Sequence, residues 1–339
     1  MKNKGYKGFG KGMICKGKQY AENTIFEEES ARICSKGMHY CKDPMDVLNY
    51  YGFVDDSGNF NEFATVEPMA EEYTDDNKKF CTTKLKVGAK LSFSGFVKAC
   101  VDFVIEKTTG SGESSSGDYA QIGSSGYYAK IGSSGDYAQI GSSGYYAKIG
   151  SSGYYAKIGS SGDYAKIGSS GYYAQIGSSG YSAQIGSSVD YAQIGSSGDY
   201  AKIGSSGDYA QIGSSGYSAQ IGSSGYSAQI GSSGDSAQIG SSGDSAQIGS
   251  SGYSAQIGSS GDYAKIESSG MYAVIMCAGS GSIAKAKKGS FITLAEWEWS
   301  EKLKRKIPKN VKTRKVDGKS IKEDTFYKLE NGKFVEVEE

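Results

Sequence analysis

Gly117-Asp-Tyr-Ala-Gln-Ile-Gly-Ser-Ser125 is followed directly by Gly126-Tyr-Tyr-Ala-Lys-Ile-Gly-Ser-Ser134, and this nine-residue unit runs through eighteen copies before it ends at Ile275. A fixed short period is the mark of a solenoid, because one unit is too small to bury a core and must stack on its neighbours. The positions that never vary show which side chains do the stacking. Ala (Ala120 to Ala273) and Ile (Ile122 to Ile275) hold in every copy while the residues around them change, so both are expected to face inward. Strand alternation agrees, since Tyr-Ala-Lys-Ile puts Ala129 and Ile131 on one side and Tyr128 and Lys130 on the other. The serines, such as Ser124 and Ser125, are equally constant, which implies hydroxyls bonded to the turn backbone or to a neighbouring coil. Glycines are expected to supply φ > 0 at the corners, although Val189 and Glu267 each replace one. A flexible Gly/Ser linker has no use for an apolar pair in every unit.

Two units per coil give nine coils, and three give six. Two is favoured, because of the nine copies with Asp at the corner, six are odd-numbered (Asp118, Asp136, Asp190, Asp208, Asp244, Asp262) and three even (Asp163, Asp199, Asp235). With parallel strands about 4.8 Å apart the rod is on the order of 40 Å long, and right-handed winding is expected. The fold class is therefore mainly β, a parallel β-solenoid with caps. Composition divides the chain into an α+β domain over 1–110, the repeats over 111–276 and a β-rich capping segment over 277–339. All six cysteines, both tryptophans, all three prolines and the single histidine lie outside the repeats.

In the first segment Asp43 and Pro44 open a helix through Met45, Val47, Leu48 and Tyr51. Lys84-Leu-Lys-Val87, Lys90-Leu-Ser-Phe93 and Ala99-Cys-Val-Asp-Phe-Val-Ile105 read as strands, the last feeding the rod. The tail opens with a degenerate coil, Ser282-Ile-Ala-Lys285, and a strand, Ser290 to Ala295. Hairpin turns are expected at Asp317-Gly318 and Asn331-Gly332, the second between Phe326-Tyr-Lys-Leu329 and Phe334-Val-Glu-Val337. Such a tail closes an open solenoid end against further strand addition.

The opening Tyr6-Lys-Gly-Phe9, the stretch Cys34-Ser-Lys-Gly-Met-His-Tyr-Cys41 with Asp43-Pro44 and Val47-Leu48, and the ending Val316-Asp-Gly-Lys-Ser-Ile-Lys-Glu-Asp-Thr-Phe-Tyr-Lys-Leu329 together resemble a group of uncharacterised phage and prophage proteins. Members of that group carry a variable tract of nine-residue repeats between such a head and tail. The resemblance implies a virus-derived protein acting in the cytoplasm of a bacterial host, and brings no activity with it.

Met1-Lys-Asn-Lys-Gly-Tyr has no apolar stretch behind it, so neither a signal peptide nor a membrane span is expected. The 37 basic and 37 acidic residues cancel overall. Residues 118–274 carry six lysines against ten acids, a net of −4, and residues 285–339 carry fifteen basic against ten acidic residues, a net of +5. Without a secretory signal the cysteines read as reduced core residues. Cys15, Cys34, His39 and Cys41 form the one conceivable zinc set, but they lack a C-x-x-C knuckle, so no metal or other cofactor is expected. Calcium rolls place Asp one residue later than here and cannot discard it in half the units. Gly8-Phe-Gly-Lys-Gly12 lacks the Lys-Ser/Thr of a phosphate loop. One histidine and no paired-carboxylate pattern argue against an enzyme.

The surface of the rod remains. Tyr119, Tyr137 and Tyr155 are expected to line one face and Tyr128, Tyr146 and Tyr164 the other, with Lys130 and Lys148 beside them and Asp118 and Asp136 at the corners. Tyrosine ladders stabilise sheets by cross-strand stacking, and they also suit protein recognition, giving contact area for little lost entropy. The expected function is a non-catalytic interaction protein that blocks or sequesters a host protein. Mimicry of nucleic acid is weakened by the low charge of the rod. The alternatives are a spacer or virion-associated rod, and a metal- or ligand-binding head on a stalk.

Overall fold

The computed structural model describes residues 4–33, 35–55, 60–108 and 114–338. Each repeat contributes one short strand, Gln/Lys-Ile-Gly-Ser in all but the last two, as in Gln121–Ser124 and Lys130–Ser133. Each strand pairs in parallel with the strand two units on, Ile122 opposite Ile140 and Ile131 opposite Ile149, so one coil is two units. Odd and even units build separate sheets, which reach 12 strands apiece with the C-terminal additions. About ten turns stack between residues 121 and 294, a rod of roughly 50 Å. It continues past Ile275 because Ile283–Ala286 and Phe291–Ser300 keep the register after the motif has faded, Ile275 lying opposite Ile292.

Within each strand Ile and Ser point inward while Gln/Lys and Gly point outward, and Ala enters the core from the preceding turn. Ala138, Ile140 and Ser160 are fully buried. Each buried isoleucine contributes roughly 1.5–3 kcal/mol. The serine site is apolar ground, for Cys277, Ala286 and Leu294 occupy it in the last coils. Burial there pushes the Cys277 thiol up to about 12. In the early units the hydroxyl serves the corner, with Gly126 N donating to Ser124 Oγ at 3.2 Å and Gly144 N to Ser142 Oγ at 3.2 Å. Against expectation, the buried inward hydroxyls from Ser151 to Ser259 find no hydrogen-bond partner among the described residues.

The corners differ from expectation. Their left-handed residue is the third of the unit, Tyr119 at φ 58° and Ser218 at φ 52°, and not a repeat glycine. The glycine before it serves close approach, since a methyl group on Gly216 would fall 2.0 Å from the carbonyl oxygen of Gly198 one coil below. Val189 shows the consequence of filling that gap. Beside it the coil-to-coil bond from Tyr173 N to Asp190 O stretches to 3.3 Å, against 2.8 Å from Tyr155 N to Tyr172 O. A left-handed tyrosine costs about 1–2 kcal/mol. Ring stacking offsets it: Tyr119, Tyr137 and Tyr155 stand 5.0 Å apart and within 5° of parallel.

The head is a seven-stranded sheet in the order Thr24–Glu27, Lys84–Leu91, Glu62–Pro68, Gly5–Phe9, Met38–Cys41, Lys79–Thr82, Glu72–Tyr73. Helix α1 (Pro44–Val47) starts as the sequence predicts, with Asp43 Oδ1 accepting from Met45 N at 2.8 Å. The segment from Ala99 is not a strand but part of helix α2 (Phe93–Thr108). Its β-branched content is overridden by a helical stripe with two neighbours to cover. Phe96 stacks on Phe63 of the head sheet, centroids 3.8 Å apart, and Val101 and Val104 turn to the rod at Gly159. The head therefore does not cap the end of the solenoid. It lies along the side formed by the odd units, anchored where Lys157 Nζ reaches Asp43 Oδ2 at 2.6 Å and Asp46 Oδ1 at 2.9 Å. Burial opposes the Lys157 charge, but the two carboxylates hold its pKa above the ordinary value.

At the other end Asn331 (φ 48°) and Gly332 (φ 69°) form the expected hairpin. Asp317-Gly318 is instead a closed turn, in which Asp317 Oδ1 accepts from Lys319 N and Ser320 N at 2.8 Å. The longer hairpin pairs Phe291–Ser300 with Arg305–Lys315. That edge strand carries Pro308 and a row of lysines and arginines, which resists further strand addition.

Two stability predictions follow from this packing. Gly216→Ala lowers stability by about 1–3 kcal/mol, whereas Gly222→Ala, with nothing within 4 Å of the added methyl, is neutral; thermal unfolding compares them. Lys157→Met leaves Asp43 and Asp46 uncompensated and destabilises the head–rod junction by about 3–5 kcal/mol, measured by denaturant unfolding and by proteolysis around α2.

Candidate docking face

The odd and even units have the same sequence pattern but opposite surroundings. On the odd-unit sheet the outward glycines form a track on which the head seats its apolar side chains. A methyl on Gly195 would fall 2.7 Å from Phe53 Cζ, one on Gly213 2.7 Å from Phe93 Cζ, and one on Gly231 2.5 Å from Val54 Cγ1. The outward Gln/Lys ladder beside the track takes the polar contacts. Lys157 meets Asp43 and Asp46, Gln175 Nε2 donates to Asn49 Oδ1 at 3.1 Å, and Gln193 Nε2 donates to Leu48 O at 2.9 Å.

On the even-unit sheet the same track and ladder are uncovered. Nothing lies within 4 Å of a methyl placed on Gly150, Gly168, Gly186, Gly204, Gly222 or Gly240. The result is a long shallow trough of about 1550 Å³, floored by glycine and isoleucine backbone and running from Lys130 to Met276. Its ladder changes character along its length. Lys130, Lys148, Lys166 and Lys202 supply cations toward one end, Gln220, Gln238 and Gln256 follow, and Val274 and Phe291, paired in register, close the other. Met276 takes the place of a track glycine there. Val274, Met276 and Phe291 are 52%, 53% and 44% exposed, a concentration of apolar surface in an otherwise polar ladder. No acidic residue stands on this ladder. Such a surface offers room for apolar side chains over its glycines, cations for carboxylates and apolar area at its C-terminal end.

Lys130 and Lys148 belong to this open face, as exposed members of their strands. The tyrosines do not. The third residue of the unit sits in the turn before the strand, so Tyr119, Tyr137 and Tyr155 stack along one edge of the rod, and Tyr128, Tyr146 and Tyr164 along the other edge with centroids 5.5 and 5.2 Å apart. The corner aspartates hold coils together: Asp118 Oδ1 accepts from Asp136 N at 3.0 Å and Asp136 Oδ1 from Tyr154 N at 2.8 Å. Sequence reasoning passed over Val274, Met276 and Phe291. The signal was present in Val274-Ile-Met-Cys277, where both outward positions of the Gln-Ile-Gly-Ser strand turn apolar together.

In the head, Cys15, His39 and Cys41 line one cavity, while Cys34 lies outside the described residues. Among the described residues no three His, Cys, Asp or Glu side chains converge as metal ligands. Burial raises the Cys41 thiol well above its ordinary range, the carboxylates of Asp46 and Asp43 adding to the effect, so it is poorly suited to attack as a thiolate.

Residues 3–99, the head up to the middle of α2, match the model of a domain family of unknown function, DUF7666. No curated protein and no solved structure matches the chain.

Proposed function

We propose that this chain is a non-catalytic, phage-encoded interaction protein that holds a host bacterial protein along the open face of its rod, and thereby blocks or sequesters it. One observation carries the reading: the odd-unit side of the same rod already holds the head's two helices, with Val101 and Val104 of α2 on its glycines and Asp43 and Asp46 of α1 on its lysine. The even-unit side offers the same recognition elements to another molecule. Its occupant is a protein segment with an apolar ridge, carboxylates toward the Lys130 end and large apolar side chains toward Phe291. The ladder from Lys130 to Phe291 spans roughly 40–45 Å, the length of a helix of about 28 residues.

A spacer or stalk is supported less well, because the head is fastened along the coils rather than carried at their tip. Nucleic-acid mimicry is weakened further by aspartates whose Oδ1 atoms are engaged between coils. Among the described residues no helix is long and apolar enough to cross a membrane. The resemblance of head and tail to phage proteins supports a cytoplasmic setting in the infected host.

Gly186→Arg with Gly204→Arg blocks the trough without touching the core, and is expected to leave the melting temperature unchanged. Host proteins captured from bacterial lysate by the unaltered chain are lost to this variant and weakened at least tenfold by Lys130→Glu with Lys148→Glu and Lys166→Glu. Capture that persists through both changes, and is lost only when the edge tyrosines become serine, contradicts the proposal.

A further inference from the structure

The head contains a second concave site, separate from the rod's trough. Five elements converge on a cavity of about 320 Å³: the strand Gly5–Phe9, the hairpin of Ile14–Cys15 and Lys18–Gln19, the loop before Met38–Cys41, that strand itself, and the turn after α1. The volume lies at the small end of the range of roughly 300–1,000 Å³ seen for small-molecule sites. Lys7 forms its floor. This side chain is 5% exposed, and its Nζ donates to the carbonyl oxygen of His39 at 2.8 Å. Among the described residues it has no ion pair. The carboxylate lining the cavity, Glu28, is already committed to Lys18 Nζ at 2.7 Å and to Gly37 N at 3.0 Å. Burial lowers the pKa of Lys7, opposed in part by Cys15, Cys41 and Glu28 nearby. Lys16 and Lys36 stand exposed at the mouth, so the potential inside is positive. Tyr50 and Tyr51 supply accessible aromatic walls, while Tyr20 is packed against Phe9 and Phe26.

A buried amine without an ion pair, its Nζ met by the His39 carbonyl and by the faces of Phe9 and Tyr20, together with a cationic mouth and aromatic walls in a volume of this size, specifies a ligand with two parts. We infer that this cavity binds a nucleoside monophosphate, with the phosphate on Lys7 and the lysines of the mouth and the planar base against the tyrosines. Phosphate supplies the missing counter-charge, and a base stacks on tyrosine without regard to its hydrogen-bonding edge. The inference does not depend on what the rod docks.

Calorimetric titration of the full chain with the four nucleoside 5′-monophosphates, the matching uncharged nucleosides and inorganic phosphate tests it. At least one monophosphate is expected to bind and to raise the melting temperature, with inorganic phosphate at least tenfold weaker and the nucleosides silent. Lys7→Met, which keeps the length and apolar contacts of the side chain, is expected to weaken binding at least a hundredfold while leaving the unliganded melting temperature equal or higher. The exposed pair Lys16→Ala with Lys36→Ala is expected to weaken it about tenfold, and tests the site should the Lys7 variant not fold. No binding by the unaltered chain, inorganic phosphate binding as tightly as the nucleotides, or affinity unchanged by the folded variants would each overturn the inference.

Discussion

Everything in this molecule depends on the exact repetition of one contact, the parallel pairing of each strand with the strand one coil away. Because the period is constant, every isoleucine lies over an isoleucine and every alanine enters the same layer. The core becomes continuous although no unit has one of its own. The constraint is severe at the corners, where a carbonyl oxygen occupies the space that a side chain on the next glycine would need. Val189 survives there only with a lengthened hydrogen bond beside it. Near-identity of the units is thus a packing requirement of the stack.

The same repetition creates two surfaces of one design. Outward glycines and outward Gln/Lys residues alternate on both sheets, so the rod presents the same track and ladder twice. The chain uses one copy on itself. Phenylalanines and valines fill the glycine track, and two aspartates neutralise the single ladder lysine beneath the head. What remains on the opposite side differs in two respects, its four ladder lysines and the apolar patch of Val274, Met276 and Phe291 at its end. Docking of a partner on this surface is a proposal that rests on its twin already serving as an intramolecular interface, and on that proposal the graded ladder gives an occupant a direction.

Legibility in the sequence followed the locality of each effect. The inward Ala and Ile, the two-unit coil, the Asp43 helix cap and the Asn331-Gly332 hairpin all arise from period or from neighbours a few residues apart, and the sequence declares them. The helix from Phe93 does not: Val97, Val101 and Val104 favour a strand until two sheets compete to cover them. The tyrosines were misplaced for a related reason. Strand alternation assigns them to a face, whereas Tyr119 still lies in the turn and the strand starts only at Gln121, which moves the tyrosines to the edge. The position of the head along the rod was not legible at all, since Lys148 and Lys157 lie in identical stretches, Gly-Tyr-Tyr-Ala-Lys-Ile-Gly-Ser-Ser. Only three-dimensional register separates them, and with them the covered face from the open one.

That pair gives the most direct measurement. Lys148 is exposed on the open sheet, and Lys157 retains only 14% of its side-chain exposure beneath the head. Amine acetylation of the native protein, followed residue by residue by mass spectrometry, should label Lys130, Lys148 and Lys166 at similar rates and Lys157 at least tenfold more slowly. Equal labelling of Lys148 and Lys157 would mean that the units are not stacked two to a coil with the head along one side, and would contradict the account from the rod upward.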